Sequence, residues 1–319
     1  MAEEKTLFKF PKAKRVYEQL GENRLSNGII ACPGCAEELG LRYVLRTLGD
    51  DATLFGIPGC SILMYMGNNQ GSYSNAPWFM GAMTNIAAMA SGYSRYLQKT
   101  KQKGTPIVIA GDGSASDVGF QSLSGAAERG EKIIFICLDN EGYMNTGMQR
   151  SSSTPYKSWT STTPVGEFAS GKNKEAKYLP LLMAFHNIAY TATASVGFLQ
   201  DYVQKLYKAR EAIQHGMAYI HLLCPCDTGW RYPSDKTIDI SQKAVDTNYF
   251  PLWEAEYGRF RMTYEPKKVL PVKEYISMQG KYKHLQEEDY EEIQNQVNKR
   301  YNTIKALAES GEKQEQAQE

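Results

Sequence analysis

A doubly wound, mostly parallel α/β sheet is the fold class this sequence predicts, and three observations predict it. Two continuous apolar runs, TPIVIAGDG (105–113) and KIIFICLDN (132–140), have the length and composition of strands buried on both faces. The segment between them, DVGFQSLSGAAERG (117–130), reads as a helix closing on Gly130, so the three form a βαβ unit. Strand, helix and strand then return in IAYTATASV (188–196), FLQDYVQKLYKAREAI (198–213) and AYIHLLCPC (218–226).

The other elements follow from spacing and composition. Residues 1–30 read as a polar, irregular lead-in. Behind CPGC (32–35), Leu39, Leu41, Val44, Leu45 and Leu48 recur at near-helical spacing, predicting a helix from just after Cys35 to Gly49. ATLFGIPGC (52–60) reads as a strand ending in a Pro-Gly-Cys turn, 61–78 as a Gly/Asn/Ser loop, and NIAAMASGYSRYL (85–97) as a small-residue helix. The polar stretch 141–177 lacks periodicity, and a loop of that length inside a globular chain is functional or disordered. Beyond Asp227 the chain is aromatic and Pro-containing to about 273. A charged amphipathic helix follows at about 285–309, with a frayed tail EKQEQAQE. The expected division is an α/β domain over 1–230 and an irregular and helical extension over 231–319, packing on it or on partner chains.

Composition narrows the functional classes. The 319 residues are about twice the ~150 of one typical domain. With 36 Lys+Arg against 35 Asp+Glu and no long basic block, a nucleic-acid partner is not expected. No apolar run reaches the ~18 residues of a membrane span, and MAEEKTLFKFPKAKR lacks a signal-peptide core, so a soluble, cytoplasmic protein is expected. Six cysteines are too few for a disulfide framework. Clustered in a reducing compartment, they point to metal or redox chemistry.

Two constellations carry the chemistry. Gly111-Asp112-Gly113 closes one strand and Asn140 the next, a GDG-x26-N spacing, and ligands of parallel sheets bind at the carboxyl ends of strands. The glycines let the backbone approach a bulky anion, and a carboxylate plus an amide oxygen make a partial shell for Mg²⁺. GDG alone also reads as a tight turn. The second constellation is Cys32-Pro-Gly-Cys35, Cys60 and Cys224-Pro-Cys226. Zinc, iron–sulfur and thioredoxin-like readings all fit a CxxC, and four thiolates suit a 4Fe–4S cluster or zinc. Cys137 lies mid-strand and reads as a small buried hydrophobe; Cys224 reads the same way, but its nearness to Cys226 leaves it open as the ligand instead. His186, His215, His221 and His284 have no metal spacing and read as structural. There is no GxGxxG fingerprint and no Ser/His/Asp grouping.

GDG-x26-N followed by NEGYMNTGMQRSSSTPY (140–156) resembles the thiamine-diphosphate motif of 2-oxoacid:ferredoxin oxidoreductases, in their separate β subunit. PCDTGW (225–230) and KVLPVKEYISMQGKYKHL (268–285) extend the resemblance. It implies a thiamine-diphosphate-binding fold, with Asp112, the Asn140 side chain and the Gly142 carbonyl on Mg²⁺ and Asn145 facing the thiazolium and substrate. It also implies that Cys32, Cys35, Cys60 and Cys226 hold one 4Fe–4S cluster. The implied activity is coenzyme A-dependent oxidative decarboxylation of pyruvate, or its reverse, with single electrons passing through the cluster to ferredoxin. Oxalate, 2-oxoisovalerate and aryl 2-oxoacids are the implied alternatives. The glutamate that activates the cofactor comes from another subunit in that family, so α and ferredoxin-like γ-type partner chains are expected, with 61–78 and 141–177 as interface and active-site cover. In the segment running from Trp78 to Asn85, Met80 and Thr84 replace the family's His and Glu, a departure that bears on the substrate. A non-catalytic iron–sulfur or zinc subunit for electron relay or assembly is the reading from a different class. Such a protein has no use for the GDG…N anchor.

Overall fold

The computed structural model describes residues 20–65 and 73–316, with 312–316 as helix backbone only. Residues 1–19 of the lead-in, 66–72 of the Gly/Asn/Ser loop and 317–319 of the tail lie outside the described residues. Among the described residues there are ten strands: β1 Ala52–Gly56, β2 Trp78–Met80, β3 Thr105–Gly111, β4 Ile134–Asp139, β5 Val165–Gly166, β6 Ala169–Ser170, β7 Tyr190–Ser195, β8 Ala218–Leu223, β9 Leu252–Glu256 and β10 Arg259–Tyr264. Eight form one sheet in the order β10-β9-β7-β8-β4-β3-β1-β2, and β5 and β6 pair as a small hairpin apart from it. From β7 to β2 every neighbouring pair is parallel. β9 runs antiparallel to both β7 and β10.

Side-chain alternation explains why β3 and β4 read as continuous apolar runs. Ile107, Ile109, Ile134, Ile136 and Leu138 pack in one core with helices α1 (Ala36–Leu48) and α5 (Leu199–Ala212). Val108, Ala110, Phe135 and Cys137 pack in the other, with α2 (Ile86–Thr100), α3 (Phe120–Glu128) and α4 (Leu179–Ala184). Helices on both faces leave no solvated side for polar residues to mark. The sheet is doubly wound, as predicted.

Three local expectations are corrected. The loop expected over 61–78 opens with a 3₁₀ turn, Cys60–Met64, and closes into the edge strand β2. The helix expected from 117 is entered through a π-turn, Gly113–Val118, directly after the GDG. The C-terminal segment packs on the sheet through α6 (Asp227–Trp230), α7 (Thr237–Asp246) and the long α8 (Glu287–Gln316), and in addition supplies β9 and β10. Trp253, Ala255 and Phe260 of that hairpin share a core with Ile304 and Ala308 of α8. Glu254, buried in β9, pairs with Lys208 and Arg261 at 2.5 Å each. Among the described residues no helix is long and apolar enough to cross a membrane.

Candidate functional site

The order β8-β4-β3-β1 sets four parallel carboxyl ends side by side. Gly111 lies opposite Leu138, and Asp139 opposite Leu223. The segments leaving these strands therefore converge: Asp112 after β3, Asn140 after its neighbour β4, Cys60 after β1, and Cys224-Pro225-Cys226 after β8. The N-terminus of α1, carrying Cys32 and Cys35, faces the same edge. Two adjoining cavities result. One is lined by Gly111, Asp112, Gly113, Asn140, Gly142 and Asn145. The other is lined by Cys32, Cys35, Cys60 and Cys226, and by Cys224. Glu37, Cys60, Asn140, Met144 and Asn145 belong to both.

Asp112 is 1% exposed and accepts the Ser151 hydroxyl. Burial pushes its carboxyl well above the usual range, and the nearby Asp139 and Glu37 carboxyls add to this. Asn140 donates Nδ2–H to Glu37 Oε1 at 2.5 Å, while its Oδ1 is buried with no hydrogen-bond partner among the described residues. A buried orphan amide oxygen and a buried carboxyl lining the same cavity are donors of the kind a hard cation takes. Gly113 is a glycine for lack of space. A Cβ there would fall 2.4 Å from the Tyr143 ring, whose hydroxyl donates to the Gly113 carbonyl at 3.0 Å. Asn145 is exposed at the junction of the cavities.

The stretch 141–177 is built, not disordered. Ser151, Ser153 and Thr154 are buried, and the Thr154 hydroxyl donates to the Glu141 carbonyl at 2.7 Å. Glu141 has φ +66° and forms an ion pair with buried Lys281 from the C-terminal segment. The Lys281 ammonium lies 3.8 Å from the Trp230 ring centroid, and Trp230 Nε1 donates to the Asn140 carbonyl at 2.8 Å. The C-terminal segment thus fixes the loop behind Asn140.

The cysteine cavity is held by the turn at Gly34, where φ is +76° and a Cβ would sit 2.3 Å from the Ser234 carbonyl oxygen. Thr237 Oγ1 donates to the Gly34 carbonyl at 2.7 Å. Cys226 caps α6, its Sγ accepting the Gly229 N–H at 3.3 Å. Burial, with the Glu37 charge behind it, raises the Cys35 and Cys60 thiols, and burial raises Cys226 to about 11. Cys60 also feels Cys226, Cys35 and Cys32. Cys224 is 1% exposed in the core beneath. Among the described residues no group of three or more His, Cys, Asp or Glu side chains is arranged to hold a single metal ion. The predicted ligands share cavities without forming a closed ion cage.

Sequence reasoning misses Glu37. Two acids in a first helical turn read as a favourable dipole contact, and Glu38 does pair with Arg42 on the surface side. The signal is available, because Glu37 stands on the stripe Leu41, Val44 and Leu48, all buried. It is 4% exposed, and burial lifts its carboxyl to about 7 although the Asn140 bond works against this. No histidine lines either cavity; His221 is buried between Asp139 at 2.8 Å and the Tyr219 hydroxyl at 2.7 Å. Met83, rather than Met80 or Thr84, lines the Asp112 cavity.

A parallel sheet with an acid–amide pair at neighbouring strand ends defines a cofactor-binding α/β enzyme domain, and comparison with known proteins narrows the class. Residues 59–222 match the family model of the thiamine pyrophosphate enzyme C-terminal TPP-binding domain. The chain is 44% identical to the NADH-dependent phenylglyoxylate dehydrogenase subunit beta of Aromatoleum evansii, over 92% of this chain and 67% of that one. It is 41% identical to the pyruvate synthase subunit PorB of Methanocaldococcus jannaschii (88% and 95% covered) and 42% identical to the ketoisovalerate oxidoreductase subunit VorB of Pyrococcus abyssi (90% and 94%). In fold it is similar to a 2-oxoglutarate:ferredoxin oxidoreductase from Magnetococcus marinus, at TM-score 0.52 and 18% identity over 74% of this chain and 84% of that one. The chain belongs to the thiamine pyrophosphate enzymes, among the β subunits of the 2-oxoacid oxidoreductases.

Proposed function

We propose that this chain is the subunit of a 2-oxoacid:ferredoxin oxidoreductase that anchors thiamine diphosphate through Mg²⁺ and carries one 4Fe–4S cluster. The observation that carries the reading is the buried Asn140 Oδ1, without a partner among the described residues, in one cavity with the buried Asp112 carboxyl at neighbouring strand ends. Asp112, Asn140 Oδ1 and the Gly142 carbonyl would hold Mg²⁺, which takes oxygen ligands and fills its shell from phosphate and water. Gly111 and Gly113 leave the backbone open to the diphosphate. Asn145, at the junction of the cavities, would present its amide to the reacting centre. Cys32, Cys35, Cys60 and Cys226 would hold the cluster. Thiols raised by burial need the charge of bound iron to remain thiolates, and Cys226 has a backbone donor to support one. Thiamine diphosphate, when bound, supplies the electron sink for the carbanion left by decarboxylation.

Pyruvate, with coenzyme A and ferredoxin as co-substrates and the reverse synthesis as the other direction, is the first substrate to test. 2-Oxoisovalerate and phenylglyoxylate follow, because the names of the relatives span all three acids at 41–44% identity. The cofactor-activating glutamate and further electron carriers are assigned to partner subunits. The test is a 2-oxoacid screen of the reconstituted complex with a viologen acceptor, alongside measured cofactor content. Asp112→Ala should lose thiamine diphosphate while keeping the cluster's visible absorbance, and the isolated chain should not turn over. Full cofactor occupancy in Asp112→Ala, or robust ferredoxin reduction by the chain alone, would overturn the reading.

A further inference from the structure

We infer that Glu37 is the positioning residue that decides which end of the Asn140 amide faces the cation, an inference that rests on the Mg²⁺–diphosphate reading above. The two ends of a carboxamide have nearly the same shape and opposite hydrogen-bonding sense, so something must choose between them. At Asn140 the main chain is fixed independently: Trp230 Nε1 donates to its carbonyl at 2.8 Å, and Cys224 N–H donates to the preceding Asp139 carbonyl at 2.8 Å. Only rotation of the side chain remains open. Among the described residues Oδ1 has no partner to choose for it, and the one hydrogen bond the amide makes is Nδ2–H to Glu37 Oε1 at 2.5 Å.

In its charged form, which a bound cation nearby favours, the Glu37 carboxylate suits this task because it only accepts. With the amide reversed, Oδ1 would face the Glu37 oxygens lone pair to lone pair, and the NH₂ would point at the cation position. Among the described residues the side-chain hydrogen bond of Glu37 goes to Asn140, while the basic Arg42 of the same helix pairs with the neighbouring Glu38 instead. It stands in the first turn of α1, two residues beyond Cys35, and lines both cavities. Packing along Leu41, Val44 and Leu48 holds the helix, and the helix holds the carboxylate against a residue 103 positions away.

The hydrogen bond can be reversed without losing an oxygen toward the cation, and that gives the test. In the assembled complex, Glu37→Gln, whose amide can turn either end to Asn140 and so no longer selects one, should raise the Mg²⁺ concentration needed to retain thiamine diphosphate through gel filtration by about 10-fold, the low end of the ~10–100-fold typical of an altered orienting partner. Asn140→Asp alone should be impaired to a similar degree, because two carboxylates then oppose one another. The double variant Glu37→Gln/Asn140→Asp, in which the introduced amide donates to the introduced carboxylate, should recover to within about 3-fold of wild type. A residue that merely stabilised the fold would not be rescued by this exchange. Iron content and visible absorbance, read in parallel, report whether each variant is assembled. Should Glu37→Gln not assemble, Asn140→Asp still decides, since wild-type Mg²⁺ dependence there overturns the inference, as does a double variant no better than either single. Asp112→Ala in the same assay separates the two levels of argument. If it retains the cofactor, the anchor reading fails; if it loses the cofactor while Glu37→Gln behaves as wild type, only the role of Glu37 fails.

Discussion

Replacing Lys281 by methionine tests how the C-terminal segment holds the loop behind Asn140. Lys281 is 2% exposed and Glu141 5%, and the two form an ion pair with the Lys281 ammonium against the Trp230 ring. Methionine fills the space of the stem but leaves Glu141 with a single neutral partner, the Tyr249 hydroxyl at 3.2 Å from Oε1. Removing one member of a buried pair costs about 3–5 kcal/mol. Burial already pushes the Glu141 carboxyl upward, so in the variant it can take a proton, which places the expected loss near the lower end. About 3 kcal/mol is roughly a 150-fold shift in the folded-to-unfolded ratio. Removing both charges in Glu141→Gln/Lys281→Met should bring stability back to within about 1 kcal/mol of wild type, because the glutamine keeps the tyrosine bond. Urea unfolding followed by tryptophan fluorescence measures both. The pH dependence has a fixed sign. A carboxyl whose folded value is raised stabilises below its unfolded value and loses that contribution as pH rises through the folded value, so the deficit of the single variant should grow with pH. A single variant within 1 kcal/mol of wild type, or a double variant as unstable as the single, would refute the reasoning.

Two further predictions concern other parts of the fold. Burial by itself would raise the Glu254 carboxyl, but Arg261, Lys208 and Lys205 outweigh it and bring it from 4.5 down to about 2. Its contribution, about 3 kcal/mol at roughly 1.4 kcal/mol per unit, is present above the unfolded value and lost as pH falls through the folded one. The unfolding midpoint of wild type should therefore drop between pH ~4.5 and ~2 with a component that Glu254→Gln lacks, and parallel curves would count against the assignment. If Cys226 holds the proposed cluster, Cys226→Ser should lose its iron and sulfide while Cys224→Ser, altered within the core, should keep them; iron and sulfide analysis showing the opposite would reassign the ligand.

What the sequence shows and what it hides divide along physical lines. TPIVIAG and IFICLD are legible as strands because both faces of β3 and β4 meet helices, leaving nothing polar to interrupt them. LWEAE and RFRMTY are not, because Glu254 and Arg261 look like solvent-facing residues until folding brings Lys208 beside them. The GDG, Asn140 and the cysteine spacings are legible because backbone access and donor type are local properties of those residues. Glu37 and Lys281 are not, because each acts through a partner more than 100 positions away: Asn140 for the first, Glu141 for the second. The buried serines and threonines of 141–177 read as a polar loop, and their hydrogen bonds to Asp112 and Glu141 emerge only in three dimensions.

The lock between Glu141 and Lys281 also sets a timetable for synthesis. The two residues are 140 positions apart, so at about 5–20 residues per second the ribosome delivers the lysine roughly 7–28 s after the glutamate. Gly34 and its Thr237 anchor are separated by 203 positions, a longer wait for the turn that carries Cys32 and Cys35. The strands that underlie the site can pair while the chain is still growing, but its two cavities cannot take their final shape until nearly the whole chain has emerged. A nascent chain truncated before residue 281 would carry every proposed metal ligand yet lack the lysine that secures the segment following Asn140.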